Sequence, residues 1–337
     1  MRALVWHGPA QMSIDELPEP APGPGEVLVV PEAAGICGSD LEGYLGWQAN
    51  RAPPLVMGHE FAGRVIAAGE GVEPEWCGRR AAVNPLVPGE DATAGIEQLS
   101  RRRELIGVHR PGGFASAVRV PARQLRALPD GADARLGALA EPLANGVHAA
   151  RLGRAGLEGG PATRAVVIGA GTIGLMTLQA VVLGGAEWVG VLELQDHRRE
   201  VAEQLGAAAS FGAEEALRSA VGDAGADLVF DAVGAEATRR LAVGLLRPGG
   251  CAVMIGLASD ATPVGFHTIV RQGLTVRGSY AYTADDYDEA LAWLLDRRAG
   301  LGELEAVQPL ATGPEVFAEL AVGPSPRLKV FLAPEPA

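Results

Sequence analysis

The stretch Ala165-Val166-Val167-Ile168-Gly169-Ala170-Gly171-Thr172-Ile173-Gly174 constrains this chain more than any other. A β-branched run followed directly by G-x-G-x-x-G and then by an apolar run reads as strand, tight turn and helix. The first glycine permits the turn, the second lets the backbone approach a pyrophosphate, and the third allows the helix to pack closely. Thr172 and Ile173 complete the turn and open the helix. Nineteen residues past Gly174 stands Glu193, where a carboxylate can accept both ribose hydroxyls of a dinucleotide. That placement favours NAD, because a 2′-phosphate would meet negative charge. Arg198 and Arg199 follow closely and could serve such a phosphate, so NADP stays as the alternative. Ala165 to Ala186 runs without a charge for twenty-two residues, the length of a membrane span. Gly169 and Gly171 break it into strand and helix, so no membrane partner is expected.

From Pro142 onward the pattern alternates strand and helix: a helix over 143–152, then strands at 165–168, 188–192, 228–232, 251–256 and 275–277. Such alternation predicts a doubly wound parallel sheet. The first 130 or so residues instead place short apolar runs between turn residues, as in Glu26-Val27-Leu28-Val29-Val30, which predicts a β-rich, barrel-like domain. A helical pattern over 285–296 and a final strand over 328–332 are expected to return to it. The expected division is therefore 1–147 with 282–337 as one discontinuous domain, and 148–281 as a dinucleotide-binding domain. At 337 residues the chain is about twice a typical domain, and 48% hydrophobic content excludes disorder for most of it. A net charge of −13 repels phosphate backbones and anionic lipid, so nucleic acid is not an expected partner. Cys37, Cys77 and Cys251 are odd in number and far apart, which is no disulfide framework, and the start of the chain lacks a signal-peptide core; a cytoplasmic protein is expected.

Three further places hold groups with metal chemistry: Gly35-Ile36-Cys37-Gly38-Ser39-Asp40, Gly58-His59-Glu60 and Glu141-Pro142-Leu143-Ala144. Thiolate, imidazole and carboxylate make a zinc-type donor set, and a catalytic zinc keeps one position open. With these motifs, with Phe61-Ala62-Gly63 and Gly112-Gly113-Phe114-Ala115, and with the glycine fingerprint in order, the sequence resembles the zinc-dependent medium-chain dehydrogenase/reductase family over essentially its whole length. It looks most like the polyol, threonine and butanediol dehydrogenase branch. The resemblance implies an α/β protein with a GroES-like β-rich catalytic domain and a Rossmann domain. It implies one catalytic Zn2+ per chain on Cys37 and His59 with Glu60 or Glu141, Asp40 orienting His59, and Ser39 taking the substrate hydroxyl proton. It implies that Lys329, the chain's single lysine, reaches the cofactor phosphates. A homodimer or homotetramer is likewise expected by resemblance only.

Two departures from the family qualify this. The family carries four closely spaced cysteines for a structural zinc in a lobe that here reads Gly89-Glu90-Asp91-Ala92-Thr93-Ala94-Gly95-Ile96-Glu97-Gln98-Leu99-Ser100, so no structural zinc is expected. Glu42 stands where many members have a histidine that ends a proton relay. Three readings remain open: a relay carboxylate, an anchor for an ammonium-bearing substrate beside Tyr44 and Trp47, or a solvated loop residue. The expected function is oxidation of a secondary alcohol, in a polyol, sugar or cyclitol and in an amino-bearing one under the anchor reading, to a ketone with NAD. The alternatives are a zinc-free NADPH reductase of the same fold and a non-catalytic dinucleotide-binding protein.

Overall fold

The structure is a computed structural model that describes residues 1–334 except Pro161 and Pro324. It divides into two compact units, Met1–Glu141 with Ala290–Ala337, and Pro142–Glu289. These boundaries lie six and eight residues from those expected at 147/148 and 281/282, and both fall inside helices, Ala134–Ala155 and Ala284–Leu295.

The first unit is built on a seven-stranded sheet. Its order is Leu125–Ala127, Arg80–Val83, Glu60–Ala68, Glu26–Gly35, Phe331–Ala333 and Gln308–Pro309, with Val118–Pro121 also paired to Glu26–Gly35. Leu4, Val5, Val27, Val29, Phe61, Val65, Phe114 and Phe317 fill its core. Register explains how distant residues meet. Gly35 pairs with Glu60 on one side and with Phe331 on the other, both antiparallel. Cys37 lies two residues beyond Gly35, His59 one before Glu60, and Lys329 two before Phe331. All three segments therefore arrive at one end of the sheet.

The second unit holds a six-stranded parallel sheet in the order Ala209–Phe211, Trp188–Leu192, Arg164–Ile168, Ala226–Asp231, Leu246–Met254 and Thr275–Gly278. Counted within the unit this is 3-2-1-4-5-6, the doubly wound order that reverses beside its first strand. The predicted strands are present with ends shifted by a few residues, apart from the last, which is only Phe331–Ala333. Ala209–Phe211 was not anticipated: three residues are too few to show an alternation. The helix expected over 143–152 instead runs from Ala134 to Ala155, straight through Pro142. Proline forfeits one backbone bond there, and the helix continues because Ala138 to Ala144 is buried throughout.

Candidate active site

Cys37, His59 and Glu60 bring one ligand atom each to within 4.8 Å of one another, and this is the group of metal-ligand type found among the described residues. Zinc bonds of about 2.0–2.3 Å span about 4.6 Å at most across an ion, so the set closes on a cation with little movement. The donors fit: Glu60 Oε1 is buried without a hydrogen-bond partner, an arrangement that is costly unless a cation faces it. Glu141 is buried but lies outside this group.

The other Glu60 oxygen, Oε2, accepts from Lys329 Nζ at 2.5 Å, and the same ammonium donates to Ile36 O at 3.1 Å. The two side chains are 1% and 2% exposed. Burial alone would lower the Lys329 pKa, but the charges of Glu60, Cys37 and Glu141 raise it above its ordinary value. Lys329, expected at the cofactor phosphates, is thus placed behind the metal-ligand group with its charge committed to Glu60.

Asp40 sits in the short helix Gly38–Tyr44 that Cys37 opens. Its Oδ2 accepts from the Cys37 N–H at 3.2 Å, and its Oδ1 lies 3.3 Å from His59 Nδ1, where it can orient the ring. Asp40 is fully buried, which by itself would raise its pKa; His59 and Arg51 hold it well below the usual carboxylate range. For His59 burial works downward, and Asp40 and Cys37 raise its pKa well above the ordinary value. Arg51 was not singled out from the sequence. Its guanidinium donates to Asp40 Oδ1 at 2.7 Å, to Met57 Sδ at 2.9 Å and to Ser39 Oγ at 3.2 Å. Nothing in the run Ala49-Asn50-Arg51-Ala52-Pro53-Pro54 signals that; only the fold brings it to Asp40.

Of the three residues expected at a substrate entrance, Tyr44 is buried. It is 7% exposed, packs in the core against Phe317 and donates to Ala10 O at 3.3 Å. The spacing holds the signal: Tyr44 is four residues after buried Asp40, so a helix puts both on its inward face. Glu42, half-buried on that helix, accepts a hydrogen bond from the Gln48 side-chain amide, and Trp47 is 73% exposed.

In the second unit the glycine turn has the shape a dinucleotide needs. A Cβ on Gly174 would lie 1.8 Å from Gly169 O, so no other residue fits there, whereas a Cβ on Gly171 would meet nothing within 4 Å. The open space at Gly171 leaves room for a phosphate at the start of the helix Thr172–Leu183, where Thr172 and Ile173 are half-buried. Glu193 lies against this turn, accepting from Ala170 N at 2.8 Å and from Gln195 N at 3.0 Å. Arg199 donates to the carbonyls of Glu193 and Leu194 at 2.9 and 3.0 Å, and Arg198 is half-buried in the first turn of Asp196–Gln204.

The lobe of residues 89–103 is tied by Asp91, whose carboxylate accepts from Ser100 Oγ at 2.5 Å, Arg101 N at 2.9 Å and Arg102 N at 3.2 Å. Ser100 and these backbone donors lower the Asp91 pKa to about 2. Cys77 is exposed, and burial pushes the Cys251 thiol up to about 11. No helix among the described residues is long and apolar enough to cross a membrane.

Comparison with known proteins points to one family. Residues 23–130 match the family described as alcohol dehydrogenase GroES-like domain, and residues 172–296 match zinc-binding dehydrogenase. The chain is 33% identical over 333 residues to 2-dehydro-3-deoxy-L-galactonate 5-dehydrogenase from Pseudoalteromonas atlantica, covering 96% of each protein. It is 32% identical over 301 residues to (R,R)-butanediol dehydrogenase from Bacillus subtilis, covering 84% of this chain and 85% of that protein. The solved structure of a zinc-binding dehydrogenase from Sinorhizobium meliloti 1021 bound to NADP superposes with a TM-score of 0.88 at 29% identity over 99% of both chains.

Proposed function

The chain belongs to the zinc-type medium-chain dehydrogenase/reductase family, in its polyol dehydrogenase-like branch, and from that premise we propose that it oxidises a secondary hydroxyl of a polyol or sugar-type substrate to a ketone, with zinc and NAD. That it is an alcohol-to-ketone oxidoreductase follows from its relatives; the metal, the cofactor and the substrate class are the finer reading. The observation that carries it is the convergence of Cys37, His59 and Glu60 with one buried Glu60 oxygen lacking a hydrogen-bond partner. The reaction balances as alcohol and NAD+ giving ketone, NADH and one proton.

Cys37, His59 and Glu60 would hold the metal, with Asp40 fixing the His59 ring and Lys329 holding Glu60. The chemistry supplied by the bound groups is polarisation of the hydroxyl oxygen by zinc and acceptance of hydride by the nicotinamide. Ser39 Oγ takes the hydroxyl proton and passes it outward. Glu42, on the same short helix, is a half-buried carboxylate engaged by the Gln48 amide. Gly169, Gly171 and Gly174 shape the pyrophosphate turn, and Glu193 receives the ribose hydroxyls. A carboxylate already seated at that turn supports NAD, in contrast to the Sinorhizobium neighbour, which was solved with NADP.

The test is NADH formation at 340 nm with NAD or NADP across neutral polyols, sugar acids and amino-bearing cyclitols. Neutral or acidic polyols oxidised with NAD support the reading. Strict preference for NADP contradicts the role of Glu193. Preference for amino-bearing substrates that collapses in Glu42→Gln moves the substrate class to amines.

A further inference from the structure

Arg51 carries a charge where charges are expensive. Its side chain is 2% exposed and its partner Asp40 is 0% exposed. Removing two such ions from water is costly, and their attraction offsets that only when the geometry is good. The surroundings are shaped to seat it: a Cβ on Gly43 would lie 2.8 Å from Arg51 Cδ. Besides Met57 Sδ, the fork reaches two oxygen acceptors. Nη1 donates to Asp40 Oδ1 at 2.7 Å and Nη2 donates to Ser39 Oγ at 3.2 Å.

We propose that Arg51 is a positioning residue for alcohol oxidation, its guanidinium fixing the Ser39 hydroxyl and the Asp40 carboxylate in one rigid arrangement. This rests on the reading that Ser39 takes the substrate proton and that Cys37 and His59 hold zinc. A guanidinium has donors and no acceptor, so the contact with Ser39 has one direction. It occupies one Ser39 lone pair, leaves the other for the incoming hydroxyl proton, and turns the serine's own proton outward. Arg51 takes no proton itself. Through Asp40 the same fork reaches the Cys37 N–H and the His59 ring, so it holds the proton acceptor and the metal ligands in a common frame. A lysine keeps the charge but donates from one nitrogen, and cannot reproduce a two-point fork.

The experiment compares wild type, Arg51→Lys, Ser39→Ala and the double variant. For each it reads kcat and KM with the best alcohol, the rate of zinc loss to a chelator without substrate, and the thermal midpoint. Arg51→Met is added if it folds. Arg51→Lys is expected to lower kcat by about 10–100-fold and to speed zinc loss by about tenfold, the range for groups that orient metal ligands. KM should change by less than about threefold, since an interaction made in the transition state is being lost. In the Ser39→Ala background the same change should lower kcat by clearly less than it does in wild type, because the route through Ser39 is gone and only the route through Asp40 remains. Losses that multiply, wild-type kcat in Arg51→Lys, unchanged zinc loss, or an effect confined to the thermal midpoint would each overturn the proposal. Wild-type protein that binds no zinc and oxidises no alcohol overturns the functional reading and this proposal with it. Active, zinc-loaded wild type with unaffected Arg51 variants overturns the proposal alone.

Discussion

Two carboxylates in the first unit show opposite solutions to one problem. Asp91, in the lobe of residues 89–103, has its oxygens occupied by a serine hydroxyl and two backbone N–H groups, all within fifteen residues along the chain. Glu60 has one oxygen on Lys329, a residue 269 positions away, and the other buried with no hydrogen-bond partner. The first arrangement is complete as it stands and ties a loop. The second leaves one oxygen for the metal proposed above. The family resemblance places a structural zinc in the lobe, and this chain has no cysteine there; a hydrogen-bonded carboxylate does the tying.

The largest expected effect tests the incomplete member of the pair. Cys37→Ser should lose bound zinc and lower turnover by at least about 10⁴-fold, because a zinc that lowers a hydroxyl's pKa by several units contributes about 1.36 kcal/mol for each. Metal analysis beside the 340 nm assay checks this, and a zinc-free variant with normal turnover would break the comparison. Next comes Lys329→Met, which strips Glu60 of its buried partner. Breaking such a pair costs about 3–5 kcal/mol, measured by denaturant unfolding. The cost should be larger in chelated protein than in zinc-loaded protein, because a cation then shares the Glu60 charge; equal losses in both would separate Glu60 from the metal.

At the lobe the effects should be local. Asp91→Asn should leave zinc content and turnover within about twofold, as for most exposed positions, while hydrogen exchange speeds up at Arg101 and Arg102. The pH dependence has a definite sign. A carboxylate whose folded pKa is depressed to about 2 from 3.8 stabilises above the unfolded value, and that contribution disappears as pH falls from about 4 through 2. Exchange protection at Arg101 and Arg102 should follow that course in wild type and be absent from Asp91→Asn. The smallest effect is on thiols. Iodoacetamide should label exposed Cys77 at neutral pH and leave Cys251, held protonated by burial, unlabelled. Labelling of Cys37 should rise on chelation.

The contrast also shows what a sequence can carry. The doubly wound sheet was legible because β-branched runs, glycine turns and apolar helices recur with local periodicity. Cys37, His59 and Glu60 were legible as residue types, and their meeting follows from one register, Gly35 opposite Glu60. Other contacts depend on packing between segments remote in sequence. Arg51 stands in a proline-rich loop whose local pattern says nothing of Asp40. The resemblance puts Lys329 at the cofactor phosphates, whereas the pairing of Phe331 with Gly35 carries it to Glu60. The burial of Tyr44 is readable from its four-residue spacing to Asp40 once Gly38–Tyr44 is a helix.

The most direct test is to measure zinc per chain and alcohol-dependent NADH formation on the same samples while the metal is removed with a chelator and then restored. The account predicts one zinc per chain, activity that falls with the zinc removed, and recovery in proportion to the zinc returned. Full activity in protein stripped of zinc would contradict it.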